Sequence, residues 1–242
     1  MYAIDVNNLT RKYDDLTAVD HISFQVQPGE IFGFLGPNGA GKTTTIKMLT
    51  GQLQPTSGSA TVMGMDIIKD RQDLAVQLGV VFEYQNIYPR LSATDNLRFC
   101  ARLYGAPRSR VDEVLAIVGL SDRARERVNR YSNGMKQRLL IARAILHQPK
   151  VLFLDEPTRG LDPGVARQIR NLVSDLSQKG ITIFLTTHYM EEADRLCQRV
   201  AILDEGKIVA LDTPDQLKLQ YGHGPGTTLE DIFLELTGRD LY

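Results

Sequence analysis

The stretch Gly36-Pro37-Asn38-Gly39-Ala40-Gly41-Lys42-Thr43 decides the reading of this chain. It has the spacing Gly-x-x-x-x-Gly-Lys-Ser/Thr of a phosphate-binding loop. A nucleotide triphosphate tail carries several negative charges close together. Backbone N–H groups turned inward cradle them, and glycine lets the backbone approach with no Cβ in the way. Lys42 is expected to neutralise charge on the β- and γ-phosphates, and the Thr43 hydroxyl to ligate Mg²⁺. Thr44, next in the chain, joins the candidate nucleotide contacts. The flanks agree with this reading. Ile31-Phe32-Gly33-Phe34-Leu35 reads as a buried strand, and residues 41–49 as a helix stopped near Gly51. The helix N-terminus then faces the anion, which its dipole and free N–H groups favour.

The bulk properties narrow the remaining choices. A length of 242 residues suits one larger domain carrying a subdomain. A formal net charge of −1 offers no bulk attraction to nucleic acid or to an anionic membrane surface. Cys100 and Cys197 are the only cysteines, too few for a disulfide framework or a metal cluster. Asp5, Asn7 and Asn8 interrupt any apolar leader, and no apolar run approaches the roughly 18–20 residues of a membrane span. The expectation is a soluble intracellular chain that needs another chain to cross a membrane.

Working outward from the loop, residues 3–8 and 22–27 read as strands, with Pro28-Gly29 turning into the loop strand. A short strand is expected around Ala60 to Met63 and another at Val80-Val81-Phe82. From about Thr94 to Leu146 the apolar spacing becomes helical, with helices over 95–103, 111–118 and 136–146. The segment 122–130 carries Arg123, Arg125, Arg127 and Arg130 and reads as a solvated helix face, with a contact surface as the alternative. Val151-Leu152-Phe153-Leu154 is wholly apolar, as in a central parallel strand. Helix 165–178, strand 181–185, helix 191–197 and a hairpin over 200–211 follow. A glycine-rich linker at 222–226 precedes a last helix over 229–236. The alternation predicts an α/β fold with ligands at the carboxyl ends of the strands.

A second constellation lies beyond the loop. Asp155 ends the apolar run, where a Mg²⁺-linked carboxylate of a phosphate-loop enzyme belongs. Adjacent residues leaving a strand point in different directions. Asp155 can therefore serve the metal while Glu156 serves the attacking water. Tyr131-Ser132-Asn133-Gly134-Met135 sits just before the helix over 136–146, where a Ser and a Gly make another anion-binding end. No second phosphate loop exists for it to complete, which points to nucleotide held by a partner molecule.

Together these stretches resemble the ATP-binding-cassette family of transporter ATPases. The likeness rests on the order and spacing of the loop, residues 131–135, Val151 to Glu156, Gly160-Leu161-Asp162 and Thr187-His188. It implies a phosphate-loop NTPase fold of the ABC type, with a mixed central sheet, an antiparallel β subdomain and a helical subdomain at about 92–148. The cassette would cover residues 1–215, and residues 216–242 would be a C-terminal linker and helix. By resemblance Tyr13 would stack on adenine, Glu156 would be the general base, and His188 would contact the γ-phosphate. Asp162 would help couple two active sites, and Ser132, Asn133 and Gly134 would bind ATP held by the opposing subunit. Two departures stand out. The usual Leu-Ser-Gly-Gly-Gln reads Tyr-Ser-Asn-Gly-Met at 131–135, and Glu83 replaces a customary Gln. A carboxylate can ligate Mg²⁺ but cannot donate as an amide does.

Residues 131–139, His188 to Asp194 and the ending 229–238 are similar to exporter ATPases. The implied protein binds ATP and Mg²⁺, pairs with an identical or related cassette, and works peripherally on the inner membrane face through an integral-membrane permease, without nucleic acid. Two rivals remain: a nucleic-acid or ribosome ATPase, disfavoured by the single cassette and neutral charge, and a regulatory module that binds ATP without turnover. Docking on the cassette, dimerisation and regulation are all open roles for the last helix.

Overall fold

The computed structural model describes residues 1–82, 86–224 and 226–238. The chain opens with the strands β1 (Ile4–Tyr13) and β2 (Leu16–Val26), then β3 (Ile31–Leu35) and the helix α1 (Lys42–Leu49). β4 (Ser57–Val62), β5 (Met65–Asp66), α2 (Arg71–Ala75) and β6 (Leu78–Val81) follow. Three helices come next, α3 (Ala93–Tyr104), α4 (Ser109–Ile117) and α5 (Asn133–Ala144). β7 (Val151–Asp155), α6 (Pro163–Gln178), β8 (Thr182–Thr187) and α7 (Met190–Leu196) return to alternation. β9 (Arg199–Asp204), β10 (Lys207–Asp212), α8 (Pro214–Tyr221) and α9 (Leu229–Thr237) complete the chain.

Two sheets result. β2-β1-β4-β5 form an antiparallel sheet, and β10-β9-β3-β8-β7-β6 form the central one. In the central sheet β3, β6, β7, β8 and β9 run parallel, and only β10 is antiparallel to its neighbour. The expected mixed α/β architecture is therefore present. Every residue of β3, β7 and β8 is buried, which explains their unbroken apolar runs: both faces are covered.

Alternation still decides which layer each side chain enters. Phe32 and Phe34 face the antiparallel sheet, where their rings pack against Phe24 and Phe184, and Phe184 in turn packs against Phe153. Ile31 and Leu35 face the helices, with Leu152, Leu154, Ile183 and Leu185. Burying one such phenylalanine contributes about 1.5–3 kcal/mol. The aromatic layer thus fixes the central sheet against the β1–β2 hairpin that carries Tyr13.

Tyr13 closes β1, paired with Leu16 across a two-residue turn. Two expectations are corrected. The segment 122–130 is not a helix face. It forms two short 3₁₀ turns (Ser121–Arg123 and Val128–Arg130) with its four arginines exposed and Val128 buried. α5 begins at Asn133, three residues earlier than the pattern suggested, because Ser132 caps it by accepting from the Met135 amide. The C-terminal segment docks: Leu229, Ile232 and Phe233 of α9 are buried in the same cluster as Met190 and Ala193 of α7, and Lys218 of α8 pairs with Asp194.

Candidate functional site

β3, β8 and β7 lie side by side, and each delivers site residues at its carboxyl end. β3 runs into the glycine loop, β7 ends at Asp155, and β8 ends at Thr187 ahead of His188. In a parallel sheet these ends share one edge, where ligands bind.

The loop needs its glycines. Gly41 has φ +101, and a Cβ there would meet the Ala18 carbonyl oxygen at 2.4 Å. That close approach seats the loop against β2. Lys42 then opens α1 with 6 % of its surface exposed. Its ammonium donates to the carbonyls of Gly36 at 2.6 Å and Pro37 at 3.1 Å. It also pairs with Glu156 Oε1 at 3.1 Å. His188 Nδ1 lies 2.7 Å from Glu156 Oε2. One carboxylate therefore joins the loop lysine to the histidine beyond β8. The backbone turns sharply here, with Glu156 at φ +52, so Glu156 leaves the strand in a different direction from Asp155.

Asp155 looks toward α1. The Thr43 hydroxyl donates to its Oδ2 at 2.7 Å, and the Thr186 hydroxyl donates to its Oδ1 at 2.6 Å. The Thr186 oxygen also accepts from the Glu156 amide at 3.1 Å. Thr43 and Asp155 present a hard, all-oxygen donor pair, which suits Mg²⁺.

A groove of about 280 Å³ runs over this edge, lined by Tyr13, Pro37, Asn38, Gly39, Gly41, Lys42, Thr43, Thr44 and Glu156, with Leu16, Ala18 and Arg159 beside them. Tyr13 is 40 % exposed at its mouth. Gly36 and Ala40 sit behind the loop, against Leu203 and in the aromatic layer respectively. Ser132, Asn133, Gly134 and Asp162 do not line the groove. Ser132 and Asn133 are exposed at the start of α5, Asp162 is exposed at the start of α6, and Gly134 is buried against Val165 of α6. Glu83, with Tyr84 and Gln85, lies outside the described residues.

Sequence reasoning missed three participants. Thr186 holds both acids, and its one signal is a threonine pair ending an apolar strand. Leu16 and Ala18 line the groove from β2, which only the β1–β2 pairing reveals. The Tyr131 departure also gains a physical account: its ring is buried where the family's Leu would be, and its hydroxyl donates to the Arg123 carbonyl at 2.7 Å.

Fold and groove together define a phosphate-loop nucleotide-binding protein. The ABC transporter family model matches residues 19–159. A fluoroquinolones export ATP-binding protein of Mycobacterium tuberculosis is 48 % identical, over 98 % of this chain and 94 % of that protein. A probable multidrug ABC transporter ATP-binding protein of Escherichia coli is 40 % identical over 96 % of this chain, and the chain spans 41 % of its length. A solved ATP-binding subunit of an ABC transporter superposes with a TM-score of 0.86 at 30 % identity, covering 97 % of this chain and 99 % of that one. A dimeric ATP-binding cassette bound to ADP and phosphate superposes at 0.78 with 25 % identity, covering 87 % and 98 %. The chain belongs to the ABC transporter family, as an ATP-binding ATPase cassette.

Proposed function

We propose that this chain is the ATP-hydrolysing subunit of an exporter, acting in pairs on a separate integral-membrane permease. The observation that carries the reading is the convergence of Lys42 and His188 on the Glu156 carboxylate at the ends of three adjacent strands. Relatives named for multidrug transport and fluoroquinolone export support the direction of transport.

The chemistry asked of the site is charge neutralisation and the placing of one water. The triphosphate competes with Glu156 and the loop carbonyls for Lys42. As Lys42 turns to the β- and γ-phosphates, Glu156 is released to take a proton from water. The water oxygen bonds to the γ-phosphorus, the bond to the bridging oxygen breaks, and ADP leaves with the electron pair. His188 holds the Glu156 carboxylate and reaches the γ-phosphate with its other nitrogen. Thr43 and Asp155 would hold Mg²⁺, with Glu83 as a further ligand, and the ion would offset charge on the phosphate oxygens. Tyr13 stacks on adenine. Gly36 to Thr44 surround the phosphates.

The groove, at about 280 Å³, lies at the lower edge of the roughly 300–1,000 Å³ of ligand cavities, and Ser132, Asn133, Gly134 and Asp162 stand outside its lining. A second wall from another molecule accounts for both. Ser132, Asn133 and Gly134 of an opposing cassette would supply it, with Asp162 coupling the two sites. The partner cassette is an identical chain or a relative. The pair would work on the inner face of the cell membrane. Among the described residues no helix is long and apolar enough to cross one. The permease loop would dock where Phe99, Leu103 and Tyr104 expose apolar surface beside a groove of about 460 Å³.

The test is Glu156→Gln. It keeps the shape and removes the proton acceptor, so ATP binding should persist while hydrolysis falls by orders of magnitude and an ATP-bound dimer accumulates on gel filtration. Undiminished turnover would remove Glu156 from its role.

A further inference from the structure

One face of the Tyr13 ring is covered by the Arg11 guanidinium, whose central carbon lies 4.5 Å from the ring centroid, while the residue is 40 % exposed in the groove lining. The two residues are two apart on β1, so their side chains share a side of the strand. Arg11 is itself held. Its Nη1 donates to the Gln54 carbonyl at 3.0 Å. The intervening Lys12 amide donates to the Thr56 hydroxyl at 3.0 Å. Both anchors lie in the turn that leaves α1, the helix opened by Lys42. The guanidinium therefore ties the base end of the groove to the element that carries its phosphate end.

A cation on one face of an aromatic ring is attracted by the ring's π density and draws it over. The opposite face becomes less electron-rich. A purine has its own π cloud, and stacking it there meets less repulsion. The same contact stops the exposed ring from sampling other rotamers, so less freedom is lost when the base arrives.

We propose that Arg11 is the positioning residue of the base platform, backing Tyr13 so that one polarised face is presented to the adenine of ATP. The inference rests on the reading of Tyr13 as the stacking residue. It adds a residue from outside the groove lining, and it makes base affinity depend on a charge that never touches nucleotide.

The experiment is steady-state hydrolysis of Mg·ATP by the purified full chain and its Arg11→Met, Arg11→Lys, Tyr13→Ala and Arg11→Met/Tyr13→Ala variants. Inorganic tripolyphosphate, which has no base, serves as a competitive inhibitor in each. Arg11→Met should raise KM for ATP roughly two- to fivefold with kcat unchanged. Arg11→Lys, which keeps the cation, should recover part of that loss. Arg11→Met should add nothing in the Tyr13→Ala background, and tripolyphosphate inhibition should stay constant throughout. A misfolded variant would lower kcat through its active fraction instead of splitting KM from kcat. If Tyr13→Ala raises KM but Arg11→Met does not, or if the two effects multiply, the proposal is overturned. It is equally overturned if tripolyphosphate weakens in parallel with ATP. If Tyr13→Ala leaves KM unchanged, it is the stacking role of Tyr13 that fails.

Discussion

The direction of two neighbouring acids depends on one threonine hydroxyl. Thr186 is fully buried, donates to Asp155 and accepts from the Glu156 amide. Thr186→Val keeps the volume and β-branch but leaves the Asp155 oxygen without its donor. An unsatisfied buried acceptor costs about 1–3 kcal/mol. The expected outcome is a lower urea midpoint and a fall in kcat larger than any change in KM, read by denaturation and steady-state hydrolysis. A variant with native midpoint and kcat would show that Asp155 is held some other way. This residue also marks the limit of what was legible. Residues 36–43 could be read at once because all eight are consecutive, so their spacing in sequence is their spacing in space. Thr186 meets Asp155 only because β7 and β8 pair in a register that sets these two opposite each other. No sequence interval between them encodes that register. Arg11 was hidden for a related reason: nothing in Arg-Lys-Tyr says which face of the tyrosine the arginine will occupy.

At the scale of elements, α7 links the site to the C-terminal helices. One face carries Met190 and Ala193, which pack with α9. From another, Glu192 reaches back under the site, 4 % exposed, near Thr158, Thr187, Glu156 and, at 3.9 Å, Arg170 of α6. Burial pushes its carboxyl above the ordinary 4.5, against the opposite pull of the two hydroxyls and Arg170, while Glu156 adds to the rise. The sign follows from linkage. Below pH 4.5 both folded and unfolded chains hold the proton. As pH rises from there toward the folded value, the unfolded chain releases it and the folded chain does not, so this residue lowers stability progressively. Glu192→Gln removes the dependence. Its urea midpoint relative to wild type should therefore be more favourable at about pH 8 than at about pH 5. An equal difference at both would mean that Glu192 ionises as easily inside the fold as outside. The elements themselves were largely visible in advance, because apolar period sets them. The exceptions are instructive. The arginine segment 122–130 folds as 3₁₀ turns around Val128, a tertiary anchor that the charge pattern conceals. α2 has one buried residue, Leu74, too weak a period to read.

At the scale of the molecule, the groove and the capped start of α5 lie apart, and the proposed pair would use them as two half-sites. Ser132 has a structural task as well as a proposed one, and the two separate cleanly. As cap of α5, Ser132→Ala should cost about 1 kcal/mol. As a contact to nucleotide on another cassette, a bulky cation there should block closure while leaving each subunit folded and able to bind ATP. Two inactive variants then follow: Lys42→Ala, which has no working loop, and Ser132→Arg, which has no working cap. A pair made of one of each has one interface with both defects and one with neither. Because neither variant pairs with itself on ATP, the ATP-dependent pairs in an equal mixture belong to this mixed class. Neither variant should hydrolyse ATP or dimerise with it alone, whereas the mixture should form ATP-dependent heterodimers visible by sedimentation and regain part of the turnover. The partial recovery is the informative quantity, because it can arise only where loop and cap come from different molecules. If each chain used its own Ser132, mixing would restore nothing. The two defects would then lie in separate sites on separate chains, and the small groove would have to be completed from within one subunit.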